Sequence, residues 1–566
     1  MKFLPAQFAL FLHNSEARQN IRALGKLVLL LATLVALYSV LFHVIMTREG
    51  QEHSWLTGLY WTLTVMSTLG FGDITFQSDM GRLFSIVVLV SGVIFLLVLL
   101  PFTFIQFFYA PWMEAQRQSR APRQLPPDTH DHVIITRYDP VAVSLIERLD
   151  LYGRPYAVLE PELIRALELH DLGVRVVVGD LDDRESYRRM RAHQAALVVA
   201  SVDDFVNTNV AFLVRELTDR TPIVSMARDH DSVDVMQLAG ATQVLELANM
   251  LGRSLGRRAL GGSTRANVIG EFGDLLIAEA PVLGTPLAGR TVADSGLREE
   301  TGLSVVGVWD RGRFTPAGPD TRMEQSSVLV LAGTEAELTT FDELVVIYNT
   351  FDDPVLILGG GRVGRATAAE LAARGVPYRI VEKNPAMIRD PRHYVQGSAA
   401  DLAVLERAGI REAPTTIITT NDDATNVYLT IYCRRLRPNM QIISRSNLER
   451  NIATLHQAGA DLVMSYASMG ADAIFNVLEQ NDIFMVAEGL DVFRYPVPRR
   501  LAGRTLAESR IREETGCLVL AIESDGEVLT SPSPGAVIPR GAELILIGTT
   551  AAERLFMKEF GKRQAH

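Results

Sequence analysis

The chain has 566 residues, a formal net charge of −11 and two cysteines, Cys433 and Cys517. A single hydrophobic core stops growing at about 250–300 residues, so this length predicts three or four domains. The acidic balance and the dispersed Lys and Arg argue against nucleic-acid binding. Two cysteines provide no disulfide framework and fit a reducing compartment.

Two apolar stretches near the N-terminus are long enough to cross a membrane. Leu24–Met46 contains one charged residue, Lys26, near its start, and Leu83–Trp112 contains none. About 20 apolar residues in a helix span a hydrocarbon core of about 30 Å. A signal peptide is the alternative for the first stretch, but its long leading region and missing Ala-x-Ala site argue against cleavage.

Basic residues lie outside the two stretches. They are Lys2, Arg18, Arg22 and Lys26 before the first, and Arg117, Arg120 and Arg123 after the second. The loop between the stretches carries Arg48 and little else that is basic before Arg82. The two stretches predict a multi-pass protein of the inner (plasma) membrane, in contact with lipid. The positive-inside rule predicts that both termini lie in the cytoplasm.

A short amphipathic segment, Ser54–Ser67, lies between the two stretches. It carries Trp55, Leu59, Tyr60, Leu63 and Met66 at helical spacing, and Ser54 is suited to be the N-cap. The segment is too short and too polar to cross alone. We predict a helix whose negative dipole end points toward the residues that follow.

Those residues, Thr68-Leu69-Gly70-Phe71-Gly72-Asp73, resemble the selectivity filter of potassium channels, whose common form is Thr-Val-Gly-Tyr-Gly-Asp. In a filter, backbone carbonyls and a threonine hydroxyl replace the water around the ion, and glycines let the carbonyls turn toward one axis. The resemblance implies K⁺ as the permeant ion, bound at Thr68, Leu69, Gly70 and Phe71. One loop cannot encircle an ion, which implies a homotetramer. An ordinary Gly-x-Gly turn is the alternative, and the two flanking apolar stretches disfavour it.

The filter segment departs from the common form at Leu69 and Phe71. Both residues are expected to keep an apolar group packed behind the filter, but Phe71 lacks the tyrosine hydroxyl. Tyr60-Trp61 resembles the aromatic cuff that braces the filter in this family.

Gly92 and Pro101 in the second stretch are candidates for a gating hinge. Gly92 lies where inner helices of related channels often bend, and Pro101 removes a helix hydrogen bond. Alternatively, Gly92 allows close packing and Pro101 makes a static kink. Because Leu83–Met113 carries no charge, the gate could also be a hydrophobic constriction.

After a proline-containing linker, Ala121–Asp128, the chain is duplicated. Leu287-Ala288-Gly289-Arg290-Thr291 recurs as Leu501-Ala502-Gly503-Arg504-Thr505, and Arg298–Gly302 recurs as Arg512–Gly516. Upstream, Val133-Ile134-Ile135 and Val355-Leu356-Ile357 each begin a βα pattern. We predict two repeats, each a parallel-sheet domain followed by a small mixed lobe.

The repeats resemble RCK domains and TrkA-type transport subunits. With the filter, the chain resembles two-transmembrane, RCK-gated potassium channels of the MthK kind. The implied fold class is an α-helical two-transmembrane pore module plus α/β, with two tandem Rossmann-like RCK units, each followed by a small α+β lobe. The expected boundaries are a pore module at 1–120, a linker at 121–130, first-repeat lobes at 131–262 and 263–350, and second-repeat lobes at 351–484 and 485–566.

The second repeat carries a dinucleotide-binding fingerprint. A strand runs into Gly359-Gly360-Gly361-Arg362-Val363-Gly364, a helix follows, and a second strand ends at Glu382, about twenty positions on. The glycines allow a tight turn and close approach of phosphates to a helix N-terminus, while Glu382 would accept hydrogen bonds from ribose and disfavour a 2′-phosphate. Arg362 and Arg365 could add phosphate contacts.

Further contacts to the ligand are implied by the family. Ser398 stands near the expected adenine position, where many relatives have aspartate. Asn421 and Asp422 fall at the end of a neighbouring strand, although such a pair often only caps the next helix. The alternative for the whole motif is a Rossmann-like domain that keeps its glycines and binds nothing tightly.

The first repeat has lost this fingerprint. Thr136–Val141 places side chains where a phosphate would need bare backbone, so we predict no nucleotide there, although Glu160 remains at the ribose position. Asp180, Asp182, Asp183 and Glu185 raise the question of a divalent cation, since some relatives bind Ca²⁺ in this domain. A solvated turn that caps the next helix is the favoured interpretation.

The resemblance implies a ligand-gated, potassium-selective channel and not an enzyme. Its cytoplasmic ring would bind an adenine nucleotide such as NAD or ADP at the second repeat, with Ca²⁺ as a further candidate. A nucleotide-dependent redox enzyme or redox sensor fused to a pore is the alternative, but no hydride-transfer site accompanies the fingerprint. A Trk-type transporter is disfavoured because its pore has four loops in one chain and this chain has one.

Overall fold

The computed structural model describes residues 15–109, 113, 122–259, 262–263, 266–272, 274–346, 350–351, 353–479, 484–487, 490–524, 527–530 and 532–561. The chain divides into two compact units. The N-terminal unit is Met1–Pro122 with Leu163–Asp171, and the C-terminal unit is Arg123–Glu162 with Leu172–His566.

The N-terminal unit contains two long helices and a short one between them. The first long helix is Ser15–Arg48, the short helix is Trp55–Met66, and the second begins as Asp79–Gly92. The second helix continues through a π-helical segment, Val93–Leu99, an α-helical turn, Leu100–Phe104, and a second π-helical segment, Ile105–Tyr109. By length and composition, Gly25–Arg48 and Asp79–Phe104 can cross a membrane, as the sequence predicted.

Serine caps fix the start of the short helix and of the second long helix. Ser54 accepts a hydrogen bond from Thr57 N at 3.2 Å, which confirms the predicted cap. Ser78 accepts one from Gly81 N at 3.1 Å, so the second long helix begins at Asp79 rather than at Leu83. The Glu49 carboxylate accepts from the backbone N–H groups of Gln77 and Ser78, which ties the end of the first helix to this start. The predicted end at Trp112 lies outside the described residues.

An aromatic cluster holds the three helices together. Phe42 from the first helix, Trp61 from the short helix and Phe76 from the following loop are all buried. The Phe42 and Trp61 ring centroids are 5.1 Å apart, and Trp61 stacks on Phe84 of the second long helix at 5.7 Å. The short helix is therefore braced by both of its longer neighbours.

The C-terminal unit contains two six-stranded parallel sheets with the same strand order. The first consists of β1 (Val133–Ile135), β2 (Tyr156–Glu160), β3 (Val176–Val178), β4 (Leu197–Ala200), β5 (Ile223–Met226) and β6 (Gln243–Leu245), in the order β3-β2-β1-β4-β5-β6. A two-residue strand, β7 (Gly262–Ser263), follows it.

Next comes a mixed sheet of β8 (Asn267–Phe272), β9 (Leu275–Pro281), β10 (Ser304–Asp310), β11 (Arg313–Pro316) and β12 (Val328–Gly333), in the order β11-β10-β12-β9-β8. Strand β13 (Thr350–Phe351) pairs with β7.

The second repeat reproduces this plan. Its parallel sheet consists of β14 (Val355–Leu358), β15 (Tyr378–Glu382), β16 (Tyr394–Gln396), β17 (Thr415–Ile418), β18 (Gln441–Ser446) and β19 (Leu462–Ser465), in the order β16-β15-β14-β17-β18-β19. Its mixed sheet consists of β20 (Phe484–Ala487), β21 (Leu490–Pro496), β22 (Leu518–Ser524), β23 (Glu527–Thr530) and β24 (Glu543–Thr549), in the order β20-β21-β24-β22-β23.

Helices connect these strands on both faces of each parallel sheet. From residue 123 onward the α-helices are Pro140–Leu151, Leu163–Asp171, Arg184–Arg189, Asp204–Arg215, Val233–Leu238, Leu247–Arg257, Leu297–Thr301, Glu335–Val346, Arg362–Ala373, Leu402–Ala408, Asp423–Leu436, Ile452–Ala458, Tyr466–Glu479, Leu506–Ser509, Ile511–Thr515 and Thr550–Phe560. Short 3₁₀ helices cover Ala192–Gln194, His230–Ser232, Pro385–Met387 and Glu449–Asn451. The strand order and the apolar central strands are those of a doubly wound fold, which confirms the predicted fold class.

The two repeats pack against each other through glycine contacts between helices. A Cβ atom at Gly252 would lie 2.4 Å from Ala366 Cβ, and one at Gly470 would lie 2.8 Å from Val141 Cγ1. The helix after β6 thus packs on the helix after β14, and the helix after β19 packs on the helix after β1. Next to the turn after β14, Arg362 Nη1 donates to Arg228 O of the first repeat at 3.3 Å, across a cleft between the repeats.

Candidate functional site

The filter segment has left-handed backbone at alternate residues. The φ angles of Thr68, Gly70 and Gly72 are +65°, +47° and +73°. Glycine adopts this region without steric cost, whereas Thr68 adopts it at some cost. Leu69 N and Gly70 N both donate to Thr64 O, at 2.9 and 3.2 Å, which ties the start of the filter segment to the last turn of the short helix.

Two aromatic residues of the short helix brace the outer end of the filter segment. Tyr60 Oη donates to Asp73 Oδ2 at 3.2 Å, and Trp61 Nε1 donates to Ile74 O at 3.1 Å. The Phe71 ring lies parallel to that of Tyr60, with centroids 6.4 Å apart. The cuff position was predicted from sequence, but these partners were not.

The expectation that Leu69 and Phe71 pack behind the filter is not met within one chain. Their side chains are 64% and 65% exposed. A single pore loop presents one side of the filter, so any cover for these groups has to come from outside the protomer.

Gly92 packs directly against the end of the short helix. A Cβ atom at this position would lie 2.4 Å from both Cα and O of Met66. The π-helical segment Val93–Leu99 begins at the next residue, and Pro101 sits in the α-helical turn that follows it. Close packing at Gly92 was one of the two interpretations that the sequence allowed.

The glycine turn of the second repeat has the geometry that the fingerprint predicts. Gly359 has φ +115°, and Thr419 Oγ1 donates to Gly359 O at 2.8 Å. A Cβ atom at Gly364 would lie 1.9 Å from Gly359 O, so only glycine fits there. At Gly361, by contrast, nothing lies within 4 Å of a Cβ position, which leaves open space beside the backbone.

Glu382 is held against this turn. Its Oε2 accepts from Gly360 N at 2.6 Å, and its Oε1 accepts from Asn384 N at 2.8 Å. Two backbone donors therefore orient the carboxylate at the end of β15, in the position that the sequence assigned to ribose recognition.

The N-termini of the two equivalent helices differ in charge. Arg362–Ala373 begins after Gly361 without a side-chain cap, so its first N–H groups donate to no capping side chain and the nearby Glu382 carboxylate bonds to Gly360 N instead. Pro140–Leu151 in the first repeat begins after Asp139, whose Oδ1 accepts from Ala142 N at 2.9 Å. The first repeat thus supplies its own carboxylate at the place where the second repeat leaves room for an anion.

The other predicted contacts are distributed around the same strand ends. Asp422 caps the helix Asp423–Leu436 through Thr425 N at 2.8 Å, which was the alternative role for this residue. Asn421 Oδ1 accepts from Arg445 Nη2 at 2.8 Å. Ser398 Oγ accepts from Ala400 N at 3.2 Å and closes a local turn.

Residues that sequence reasoning missed also border the site. The Arg445 guanidinium lies over the Tyr466 ring, 5.3 Å from its centroid, and Tyr466 begins the helix after β19. Asn426 Nδ2 donates to Arg445 O at 2.9 Å. A signal for Asn426 existed in the repeat itself, because Asp203-Asp204-x-x-Asn207 and Asp422-Asp423-x-x-Asn426 occupy equivalent places.

The acidic turn of the first repeat has the structure of a helix cap. Asp183 Oδ1 accepts from Glu185 N at 3.0 Å, and Asp183 Oδ2 lies 3.6 Å from Arg189 Nη2. Across the described part of the chain, no group of three or more His, Cys, Asp or Glu could hold a metal ion. The proposed divalent site at Asp180, Asp182 and Asp183 therefore gains no support, and the capping interpretation accounts for Asp183.

The fold and these sites define a membrane channel module joined to two tandem Rossmann-like regulatory domains. The TrkA-N domain family matches residues 133–247 and 355–466, the TrkA-C domain family matches 277–346 and 492–561, and the Ion channel family matches 27–109. The solved structure of the GsuK channel bound to NAD is 39% identical, covers 96% of this chain and all of that one, and has a TM-score of 0.58. The chain belongs to the family of two-transmembrane potassium channels with RCK domains.

Two curated relatives agree with this assignment. Potassium channel protein 1 of Methanocaldococcus jannaschii is 30% identical over 208 residues, which are 34% of this chain and 62% of that protein. A Trk system potassium uptake protein TrkA homolog of Pyrococcus horikoshii is 25% identical over 226 residues, 37% of this chain and 98% of that protein. These relatives are potassium channels and uptake proteins, not redox enzymes.

Proposed function

We propose that the chain conducts K⁺ selectively and that an adenine nucleotide, bound at the second repeat, controls the opening of the pore. The main support for nucleotide binding is the helix N-terminus at Gly361, which has no side-chain cap, belongs to a complete fingerprint and is open to solvent. Phosphates would accept from the first N–H groups of this helix, and the Glu382 carboxylate would accept from ribose hydroxyls. The NAD-bound GsuK channel supports a nucleotide of this class.

Ion selection is assigned to the filter segment. Carbonyls of Thr68, Leu69, Gly70 and Phe71 would bind K⁺ in place of water, with Gly72 and Asp73 at the outer end. Alternating left-handed φ angles at 68, 70 and 72 support this role, because they turn successive carbonyls toward a common side.

Four chains would complete the pore and the ring. Exposed apolar side chains on the first repeat support assembly, since Phe205 is 90% and Leu238 87% exposed. They lie on Asp204–Arg215 and Val233–Leu238, which pack side by side. The second repeat exposes Tyr428 and Ile431 on the equivalent of the first of these helices, Asp423–Leu436. Large exposed apolar groups of this kind mark protein interfaces.

Gating requires that the ligand bind one conformation of the ring more tightly than the other. The linker provides a connection, because Leu125 N donates to Arg189 O at 3.1 Å and so anchors the linker to the first repeat. The second membrane helix, with Gly92 and Pro101, is the proposed element that moves. Both termini would lie in the cytoplasm and the filter would face the outside of the inner membrane.

Single-channel recording of the purified assembly in planar bilayers tests the proposal. A K⁺/Na⁺ gradient reports selectivity, and NAD or ADP is added on the side of the repeats. Gly361→Asp reproduces the carboxylate cap of the first repeat, and we expect it to abolish the nucleotide response while a K⁺ reversal potential persists. Gly535→Ala, at another glycine with open space, is the matched control.

Two results would contradict the proposal at separate points. A reversal potential that does not follow the K⁺ gradient would contradict the assignment of K⁺ selection to the filter segment. A nucleotide response that is unchanged in Gly361→Asp would contradict the role of the second repeat as the nucleotide sensor, but not the proposal that the chain conducts K⁺.

A further inference from the structure

Four arginine side chains gather in the cleft between the repeats. Arg137 and Arg228 belong to the first repeat, and Arg362 and Arg445 belong to the second. Arg137 Nη1 and Arg228 Nη2 both donate to Val202 O, at 3.3 and 2.8 Å. Arg362 Nη1 reaches across the cleft and donates to Arg228 O at 3.3 Å. Arg445 Nη2 donates to Asn421 Oδ1 at 2.8 Å, and the charge of Arg362 acts on Arg445, which places the fourth guanidinium beside the other three.

Within the described ranges, none of these four guanidinium groups forms an ion pair with a carboxylate, and the Asp423 charge acts on Arg445 from a longer distance. The carboxylates nearest in the fold are already committed: Asp139 caps its own helix, and Asp423 accepts from Asn447 N and Leu448 N. Burial lowers the pKa of the Arg445 guanidinium, Tyr466 and Asp423 act against this, and the neighbouring charge of Arg362 acts in the same direction as burial.

Arg445 is buried, whereas Arg137, Arg228 and Arg362 are exposed. Positive charges collected at one place repel one another, and an anion bound between them relieves this repulsion. Guanidinium groups match phosphate in geometry and bind it through paired hydrogen bonds. Arg137 is the residue that the first repeat carries in its altered turn, where the second repeat has glycines. The turn that lost the ability to bind a phosphate on its backbone therefore carries a cation, which shares the Val202 O acceptor with Arg228.

We infer that Arg137 and Arg228 bind the second phosphate of a nucleotide whose first phosphate rests on the Gly361 helix N-terminus. This assignment rests on the proposed function and adds the first repeat to its site. The ligand class is an adenine nucleotide with at least two phosphates, and the pyrophosphate of a dinucleotide or the terminal phosphate of a diphosphate offers the same chemistry. Such a ligand joins the two repeats, which is how its binding would alter the ring.

Titration calorimetry on the detergent-solubilised full chain tests the inference with adenosine monophosphate, ADP and NAD as probes. We expect Arg228→Gln and Arg137→Gln each to weaken the binding of ADP, of NAD or of both by about tenfold or more, because each removes a charged donor to the second phosphate. Binding of the monophosphate should stay within about twofold of the unaltered chain. A loss confined to ADP or to NAD shows which source of the second phosphate reaches the first repeat.

Arg220→Gln is the matched control, since Arg220 lies in the same repeat just before the start of β5, at the opposite end of the sheet. If both cleft variants bind ADP and NAD as tightly as this control while Gly361→Asp abolishes binding, the role of the first repeat is refuted and the nucleotide site stands. If Gly361→Asp also binds ADP and NAD normally, the nucleotide site itself is refuted. Equal weakening of monophosphate and diphosphate binding would also refute the inference, because it would indicate a distorted cleft.

Discussion

Gly361 and Gly364 are three residues apart and are glycine for different reasons. A side chain at Gly361 would enter open space where the ligand is proposed to bind. A side chain at Gly364 would strike the carbonyl of Gly359, on the same turn. Gly361 is therefore expected to matter for ligand binding, and Gly364 for the stability of the turn.

We therefore expect Gly364→Ala to lower the free energy of unfolding by about 1–3 kcal/mol, because the turn must move to admit the methyl group. Gly361→Ala should leave the stability of the nucleotide-free chain unchanged and weaken nucleotide binding. Thermal unfolding of both variants without ligand checks this difference. Equal melting temperatures would show that the turn is more adaptable than its contacts imply.

A second residue-scale feature is the buried guanidinium of Arg148 between the repeats. It lies 2.6 Å from Asp472 and 3.3 Å from Asp491, and Tyr152 Oη donates to nearby Glu553 at 2.6 Å. Burial raises the pKa of Asp472 well above its ordinary value, and the charges of Asp491 and Glu553 raise it further, against the opposite effect of Arg148. Three carboxylates thus share one cation away from water.

A carboxyl whose pKa is raised in the folded state keeps a proton that the unfolded chain has released. Stability should therefore fall as the pH rises from the ordinary aspartate range, about 4, through neutrality, by at most about 1.4 kcal/mol per pH unit for one proton. We expect Asp472→Asn to flatten this part of the pH profile of the melting temperature. Glu147→Gln, which removes a half-exposed ion pair with Arg554 nearby, should leave the slope unchanged.

Among the elements, the second membrane helix combines a rigid point with an irregular one. Gly92 fits against the end of the short helix, so this part of the helix is close-packed. The π-helical segment after it and Pro101 in the next turn interrupt the regular hydrogen-bond pattern. Bending is therefore easier beyond Gly92 than at Gly92 itself.

This arrangement predicts different effects for substitutions at the two hinge candidates, Gly92 and Pro101. Gly92→Ala should displace the filter support and reduce single-channel conductance or assembly, since its methyl group would meet Met66 at 2.4 Å. Pro101→Ala should leave conductance unchanged and shift the nucleotide concentration for half-maximal opening, because it restores a backbone donor in the bending region. If the double variant opens normally, neither residue is a hinge.

Element positions followed from sequence where the signal was local. Ser54 marked the short helix, and apolar runs marked the central strands of both parallel sheets. The start of the second membrane helix was missed because Ser78 and Asp79 are polar, so hydropathy placed the boundary at Leu83. The glycine turn was predictable because its strand, turn and helix are contiguous. Arg228 was not predictable as a neighbour of Arg362, since 134 residues separate them and only the packing of the repeats brings them together.

At the scale of the whole molecule, the exposed apolar faces bear on assembly. We expect Phe205→Ser combined with Leu238→Ser to shift the full chain toward smaller species, because the variant removes the apolar contacts that these two side chains would make with a neighbouring subunit. Light scattering of the detergent-solubilised protein measures the mass. Leu529→Ser, on strand β23 of the second mixed lobe, is the control for a general effect of removing an exposed leucine. An unchanged mass in the double variant would place the subunit contacts elsewhere.

The sequence duplication predicted two repeats of the same shape. In the structure, the two repeats differ in charge at the N-terminus of the helix that follows the first strand. Asp139 fills in the first repeat the place that stays open at Gly361 in the second. A carboxylate built into the chain is always present, so the first repeat has a fixed occupant whose concentration cannot vary. A four-chain ring of eight such domains would then have four variable sites, and the steepness of its dose–response curve would be limited to a Hill coefficient of about four.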